Sequence, residues 1–408
     1  MVAVVHPIHQ HSYESVVAAD AAGLLDRFYT GVYVRDGMLT SLVVAGRKIP
    51  GIGAFGELQD LLERRCHPEL PSQRVCRYSG LHWLALASAQ LRPPMLGRNH
   101  RLMTLAQRAF DLRVARSVVA RRDKIGVLHA FDFMTPVTVE RAHARGIATI
   151  LDVTIAPRAA ASWGPGAGQH PTRAVLDAER SATDWFLAGS AAVRDEVVSE
   201  GVDPRRVLLL PYGADPDMFQ PSSAERARDV LFVGQLTRRK GLDVLLQAWR
   251  LLGPPAGRTL VLVGSPDVEG QHLLAGRHDV VVRSHISRRQ VSECMRTAAL
   301  FVLPTRAEGS ALVIYEAMAT GLPVVTTPAA GSVIRDGIDG CLVAPEPLAL
   351  ASAMDRILSD PKLGSRLGRE AREAIVANYT WGHYRARLAA VYRAVLAGST
   401  PRVELPAA

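Results

Sequence analysis

Short apolar runs alternate with helix-patterned stretches twice over, on either side of a proline-rich break, and this constrains the fold more than any other feature of the chain. Before the break the runs are Val2–Val5, Ser41–Ala45, Val127–Ala130, Ala148–Val153, Trp185–Ala188 and Val207–Leu210. Most are rich in Val, Ile and Leu and too short for helices, as strands buried on both faces are. Helical spacing fills the intervals, for example over Ser15–Leu25 and Leu102–Ala120. Pro211-Tyr212-Gly213, followed by Pro216, Pro221, Ser222 and Ser223, has the composition of a linker. The alternation then restarts, with strands at Val230–Val233, Thr259–Val263, Val280–Val282, Leu300–Leu303 and Val324–Thr326, and helices at Leu242–Leu252, Arg289–Ala298 and Val313–Ala319. Strands joined by crossover helices form parallel sheets, and 408 residues are too many for one compact core. Two doubly wound α/β units follow. In such sheets ligands bind outside the carboxyl ends of the strands, so a cleft between the units is the place to look for a site.

No run reaches the ~20 apolar residues that span a bilayer. Met1-Val2-Ala3-Val4-Val5 has no basic residue before it and stops at His6-Pro7, so it reads as a first buried strand and not as a signal peptide. The four cysteines (Cys66, Cys76, Cys294, Cys341) lack C-x-x-C spacing, which points to free thiols and a cytoplasmic location. The net charge of +9 is concentrated. Residues 92–124 hold Arg92, Arg98, Arg101, Arg108, Arg113, Arg116, Arg121, Arg122 and Lys124 against only Asp111 and Asp123. A solvated helix face is the plain reading. An anionic membrane surface, met peripherally from the inner side, is the sharper one. Nucleic acid ranks below both, because no aromatic residues are interleaved for stacking.

The densest chemical signal runs from Leu303 to Val325. A buried strand ends at Pro304, a loop carries Glu308 and Gly309, and a helix opens near Leu312 and stops at Gly321. The first N–H groups of such a helix have no partner within it and favour an anion. Glu308 and Glu316 flank them, suited to accept hydrogen bonds from sugar or ribose hydroxyls. A second signal runs from Phe232 to Leu242: a strand ends at Gly234, and a loop with Arg238, Arg239 and Lys240 leads into a helix. Three cations beside a cleft suit a pyrophosphate.

The run from Glu308 to Glu316 resembles the E-x7-E signature of retaining GT-B glycosyltransferases, the large family numbered four. The resemblance is tight over roughly residues 180–345 and loose before them. It implies two Rossmann-like domains facing across a deep cleft: an acceptor domain at 1–212, a linker at 213–228, a donor domain at 229–380, and at 381–408 a tail whose helix crosses back to the first domain. It further implies that Glu308 meets the donor sugar, that Glu316 meets the ribose, and that the backbone of Gly309, Ser310, Ala311 and Leu312 holds the diphosphate. Lys240 matches the family's phosphate-binding lysine. The family's arginine is replaced here by Gln235, which can donate a hydrogen bond but supplies no charge. Either Arg238 or Arg239 compensates, or the loop leaves both in solvent. Val127-Leu128-His129-Ala130-Phe131-Asp132 resembles the strand whose histidine faces the cleft, making His129 the candidate to touch the reacting sugar or acceptor.

Two further patterns are read as structural. Gly51-Ile52-Gly53-Ala54-Phe55-Gly56 fits G-x-G-x-x-G, yet it follows no strand and has no acidic residue ~20 positions on, so it reads as a loop. His6, His9 and His11 are as dense as a metal site but lack a fourth ligand; packing or acceptor contact is the reading. The resemblance therefore implies a retaining, metal-independent transferase with no cofactor. Its donor is a nucleotide-diphosphate sugar, and its acceptor is a saccharide, a lipid-linked saccharide or a small molecule, in polysaccharide or glycoconjugate synthesis. Two rivals remain: a nucleotide-sugar epimerase on the same plan, and a non-catalytic nucleotide- or carbohydrate-binding protein.

Overall fold

A computed structural model describes residues 1–7, 11–31, 33, 65, 67, 69–78, 80, 100–155, 173–222, 229–253, 257–284 and 286–406. The expected strand at 41–45, the glycine run at 51–56, His9, Cys66, Arg92 and Arg98 lie outside the described residues.

Among the described residues the first sheet has seven parallel strands in the order β3-β2-β1-β4-β5-β6-β7. They are β1 (Val2–His6), β2 (Leu25–Thr30), β3 (Val75–Arg77), β4 (Val127–Phe131), β5 (Ala148–Val153), β6 (Trp185–Ala188) and β7 (Val207–Leu209). The crossovers are α1 (Ser12–Ala21), α2 (His100–Ala120), α3 (Pro136–His143), α4 (Arg173–Ser181) and α5 (Ala191–Ser199). Side chains alternate across the sheet. Val2 and Val4 pack with α1, whereas Ala3 and Val5 pack with Phe110, Val114 and Val118 of α2.

The second sheet repeats the plan with β10-β9-β8-β11-β12-β13. Its strands are β8 (Val230–Val233), β9 (Leu260–Val263), β10 (Val280–Arg283), β11 (Leu300–Leu303), β12 (Val324–Thr326) and β13 (Cys341–Leu342). Between and after them lie α6 (Leu242–Leu252), α7 (Val268–Leu274), α8 (Arg288–Thr297), α9 (Leu312–Ala319), α10 (Pro347–Ser359) and α11 (Pro361–Asn378). Strand order reverses between β1 and β4 in one sheet and between β8 and β11 in the other, and at each reversal the diverging loops open a crevice.

The chain passes between the two units twice. Ala214 N–H donates to Tyr379 O at 3.0 Å, and Trp381 N–H returns a bond to Ala214 O at 3.2 Å. The two segments lie so close that a Cβ on Gly213 would stand 2.4 Å from the carbonyl carbon of Thr380. Beyond this crossing, α12 (Trp381–Leu396) packs on the first sheet beside α1. Arg385 Nε donates to Glu14 at 2.7 Å there, and Tyr392 Oη lies 2.6 Å from His129 Nδ1.

Candidate active site

Two loops meet at the β8/β11 reversal. The first follows β8 from Gly234 to Gly241; the second follows β11 from Pro304 to Ala311. Thr305 Oγ1 and Arg306 N–H both donate to Arg239 O, at 3.1 and 2.9 Å. Gly241 has φ +78°, and a Cβ there would lie 2.0 Å from Pro304 O, so only glycine lets the loops close on each other. That contact fixes the cations. Lys240 Nζ reaches Glu308 Oε1 at 2.6 Å, Arg239 pairs with the same oxygen, and Arg239 also donates to Ala307 O at 2.7 Å. Burial lowers the Lys240 pKa, against the pull of the Glu308 carboxylate.

The neighbouring arginine is turned away. Arg238 pairs with Glu269 of α7 and stands 3.5 Å from Asp243, while Arg306 holds Asp243 through two bonds of 2.7 and 2.9 Å. Arg239 is therefore the cation that joins Lys240 at Glu308. Gln235 is exposed at the start of the loop.

Helix α9 opens beside this cluster. Of the expected backbone donors, one is already occupied: Ala311 N–H donates to Ala330 O at 2.9 Å and is not available to a phosphate. The reason is local. Ala311 precedes the first turn with extended backbone, and the loop after β12 runs alongside it, so its amide is satisfied there. Leu312 and Val313 open the helix, and their N–H groups lie in the first turn, which has no intrahelical acceptors. Ser310 is buried, its hydroxyl 3.0 Å from both Tyr315 Oη and Gly331 O. Gly309 abuts the first domain: Ser190 Oγ donates to its carbonyl at 2.6 Å, and a Cβ on it would lie 1.9 Å from Thr154 O. One turn into α9, Glu316 is 8% exposed and accepts from Arg288 at 2.7 and 3.2 Å. Burial raises its pKa, and the Arg288 guanidinium opposes that. Arg288 also lies over the Phe219 ring at 5.3 Å.

On the first domain the structure corrects the placement of His129. It is the middle residue of β4, is fully buried, and turns Nδ1 to Tyr392 and Nε2 toward Asp152 at 3.7 Å. Helix α12 covers the strand at this point, so the ring anchors that helix and does not reach the open cleft. His11 lies nearer the surface and takes Asp152 Oδ2 at 2.8 Å, with Tyr212 against its ring at 4.2 Å. The two histidines hold the buried Asp152 carboxyl well below the usual range. Past the end of β4, burial pushes Asp132 up to about 7, and beside it Glu179 up to about 8. Among the described residues no group of His, Cys, Asp or Glu side chains is arranged to hold a metal ion, and Cys76, Cys294 and Cys341 are unpaired.

Residues 227–360 match the family described as Glycosyl transferases group 1. The match falls on the second domain, from β8 to β13. A D-inositol 3-phosphate glycosyltransferase of Streptomyces griseus is 32% identical over 259 residues, which cover 53% of this chain and 55% of that one. An alpha-maltose-1-phosphate synthase of Mycolicibacterium smegmatis is 28% identical over 53% of this chain and 64% of its own length. The chain thus spans less than two thirds of the length of each of these relatives. Among solved structures, sucrose-phosphate synthase of Thermosynechococcus elongatus superposes with a TM-score of 0.70 at 20% identity, covering 98% of this chain and 99% of that one. Anabaena HepE in complex with UDP and glucose superposes with a TM-score of 0.64 at 15% identity, covering 95% and 98%. The fold is GT-B.

The sequence reading did not foresee Arg288 or Asp152. Asp152 had a signal, a carboxylate inside the otherwise apolar run Ala148–Val153. Arg288 had none, since Ser287-Arg288-Arg289 reads as any exposed basic turn.

Proposed function

We propose that the protein transfers a sugar with retained configuration from a nucleotide-diphosphate donor to a saccharide, lipid-linked or small-molecule acceptor, without a metal or cofactor, in polysaccharide or glycoconjugate synthesis. The observation that carries this reading is the convergence of Lys240 and Arg239 on Glu308 beside the amino end of α9. Without donor, the cations neutralise Glu308. When a diphosphate enters, they swing to its oxygens together with the N–H groups of Leu312 and Val313. Glu308 is thereby released to accept hydrogen bonds from the sugar hydroxyls. Glu316 exchanges one Arg288 bond for the ribose in the same way. That the HepE structure was solved with UDP and glucose is in keeping with such a donor.

The bond from the sugar C1 to the phosphate oxygen breaks with its electron pair going to the phosphate. The acceptor oxygen bonds to C1 on that same face, and its proton passes to the departing phosphate. The two cations, once moved onto the diphosphate, and the helix amides offset the charge that develops, the electrostatic stabilisation that often dominates such reactions. Lys240→Ala and Glu308→Gln are each expected to lower kcat by roughly 10²–10³-fold, while the first also weakens binding of nucleoside diphosphate in a thermal-shift titration. Near-normal turnover in both variants would overturn the proposal. Conversion of donor to an epimer in the absence of acceptor would replace it with the epimerase reading.

A further inference from the structure

We propose that the outer face of α2 docks the protein on a bilayer of anionic lipid. At 100° per residue, Arg108, Leu112, Leu105 and Arg116 fall within about 80° of one another around the helix. All four are exposed, Leu105 at 56% and Leu112 at 41%. The opposite side is core: Ala106, Phe110, Val114 and Val118 are buried against the sheet. Two large apolar residues therefore stand on the solvent side between two arginines, with Arg113 exposed at the margin.

Among the described residues no carboxylate compensates the charge on this face. Asp111, the helix's one acidic residue, is 4% exposed and faces inward, where it accepts from Val137 N–H, Thr138 N–H and Thr138 Oγ1 at 3.0, 2.9 and 2.7 Å. Arg122 and Lys124 extend the basic surface past the helix, with Asp123 beside Arg122 as the only exposed acid there among the described residues; Arg121 is tied to Asp26. Guanidinium groups grip phosphate through paired hydrogen bonds, and leucines between them reach past the headgroups into the acyl boundary. Duplex or single-stranded nucleic acid would use the arginines but leave both leucines in water.

The fold also sets which way this face points along the cleft. A crossover helix runs opposite to the parallel strands it joins, so α2 starts at the carboxyl edge of the sheet. Gln107 Nε2 confirms that placement by donating to Phe133 O at 3.0 Å, just past the end of β4. The Leu105–Arg108 turn thus lies at the edge where ligands bind. A docked α2 brings that edge to the headgroups, within reach of an acceptor that stays in the membrane; this last clause rests on the proposed function, whereas the docking itself does not.

Flotation of the full chain tests it, using vesicles of phosphatidylglycerol with phosphatidylcholine and vesicles of phosphatidylcholine alone. The protein is expected to float with the first and not the second, and to be released as salt rises. R108E/R116E should lower the partition coefficient on the order of twentyfold or more, at about fivefold for each charge removed. L105S/L112S should lower it as well, with circular dichroism and melting temperature unchanged in both variants. Equal recovery on the two vesicle types overturns the proposal. So does loss of binding in R108E/R116E with full retention in L105S/L112S, since that pattern marks a generic polyanion contact; competition by a short DNA duplex would then identify a nucleic-acid face. None of these readouts depends on sugar transfer, so failure here leaves the transferase reading standing.

Discussion

Glu308 meets two cations with a single oxygen, while Asp132 and Glu179 each leave an oxygen without a partner among the described residues. Both of the latter are nearly fully buried, and for both the loss of hydration outweighs the hydrogen bonds they accept. The native state therefore keeps protons that the unfolded chain gives up near pH 4. Because the folded values are raised, to about 7 and about 8, the stability they contribute is present at low pH and lost as pH climbs through those values. Asp132→Asn and Glu179→Gln hold the neutral state permanently. Each should flatten the fall in melting temperature between pH 5 and pH 8, and the double variant should flatten it most. Slopes that match the parent protein would show these groups to be ionised in the native state. Asp152 has the opposite sign: its pKa is depressed, so its contribution is lost as pH falls below the ordinary carboxylate range, outside this window.

Strands and helices of the second domain follow directly from the pattern of side chains. Val230–Val233, Leu300–Leu303 and Val324–Thr326 are strands at the expected residues, and α9 starts at Leu312, where the pattern placed it. Both faces of these strands are buried, so their apolar runs are unbroken and easy to read. Other elements were hidden for physical reasons. Leu25-Asp26-Arg27-Phe28-Tyr29-Thr30 forms β2, but its charged pair disguises it, and the helix expected over Ser15–Leu25 is in fact Ser12–Ala21. The three residues of β3 and the two of β13 are too few to show a period. At the candidate site, the nearness of Lys240 and Glu308 and the place of Glu316 on α9 were legible from motif spacing. Arg288, the choice of Arg239 over Arg238, and the burial of His129 were not, because each depends on neighbours far along the chain. The Arg239–Lys240 loop in turn depends on Gly241. Gly241→Ala forces a side chain into the left-handed region and against Pro304 O, so the loop must lift away from the end of β11. Donor binding should weaken with the C-terminal domain still folded, a loss visible by calorimetry with a nucleoside diphosphate. Unchanged affinity would show that the loop does not need this contact to position its cations.

At the scale of the whole molecule, one apolar cluster runs from Val2 and Val4 through Tyr212 and Phe219 at the crossing to Leu300, Ile314 and Leu350, and it includes Leu388, Val391 and Tyr392 of α12. The last helix in the chain is thus core for the first domain, which makes the two domains energetically dependent although each has its own sheet. His129 and Tyr392 are a hydrogen-bonded link in that dependence, buried completely and 263 residues apart. Tyr392→Phe keeps the ring and removes only the hydroxyl, leaving the fully buried His129 Nδ1 without that partner. A cost of about 1–3 kcal/mol follows from stranding one buried polar atom. It should appear as a lower denaturant midpoint with an unchanged slope, since the surface exposed on unfolding is the same. Because the link ties β4 to α12 and touches neither donor loop, affinity for nucleoside diphosphate should be retained. A variant that loses donor binding while keeping its denaturant midpoint would instead place His129 and Tyr392 in the service of the cleft, and would restore to His129 the role that its sequence context first suggested.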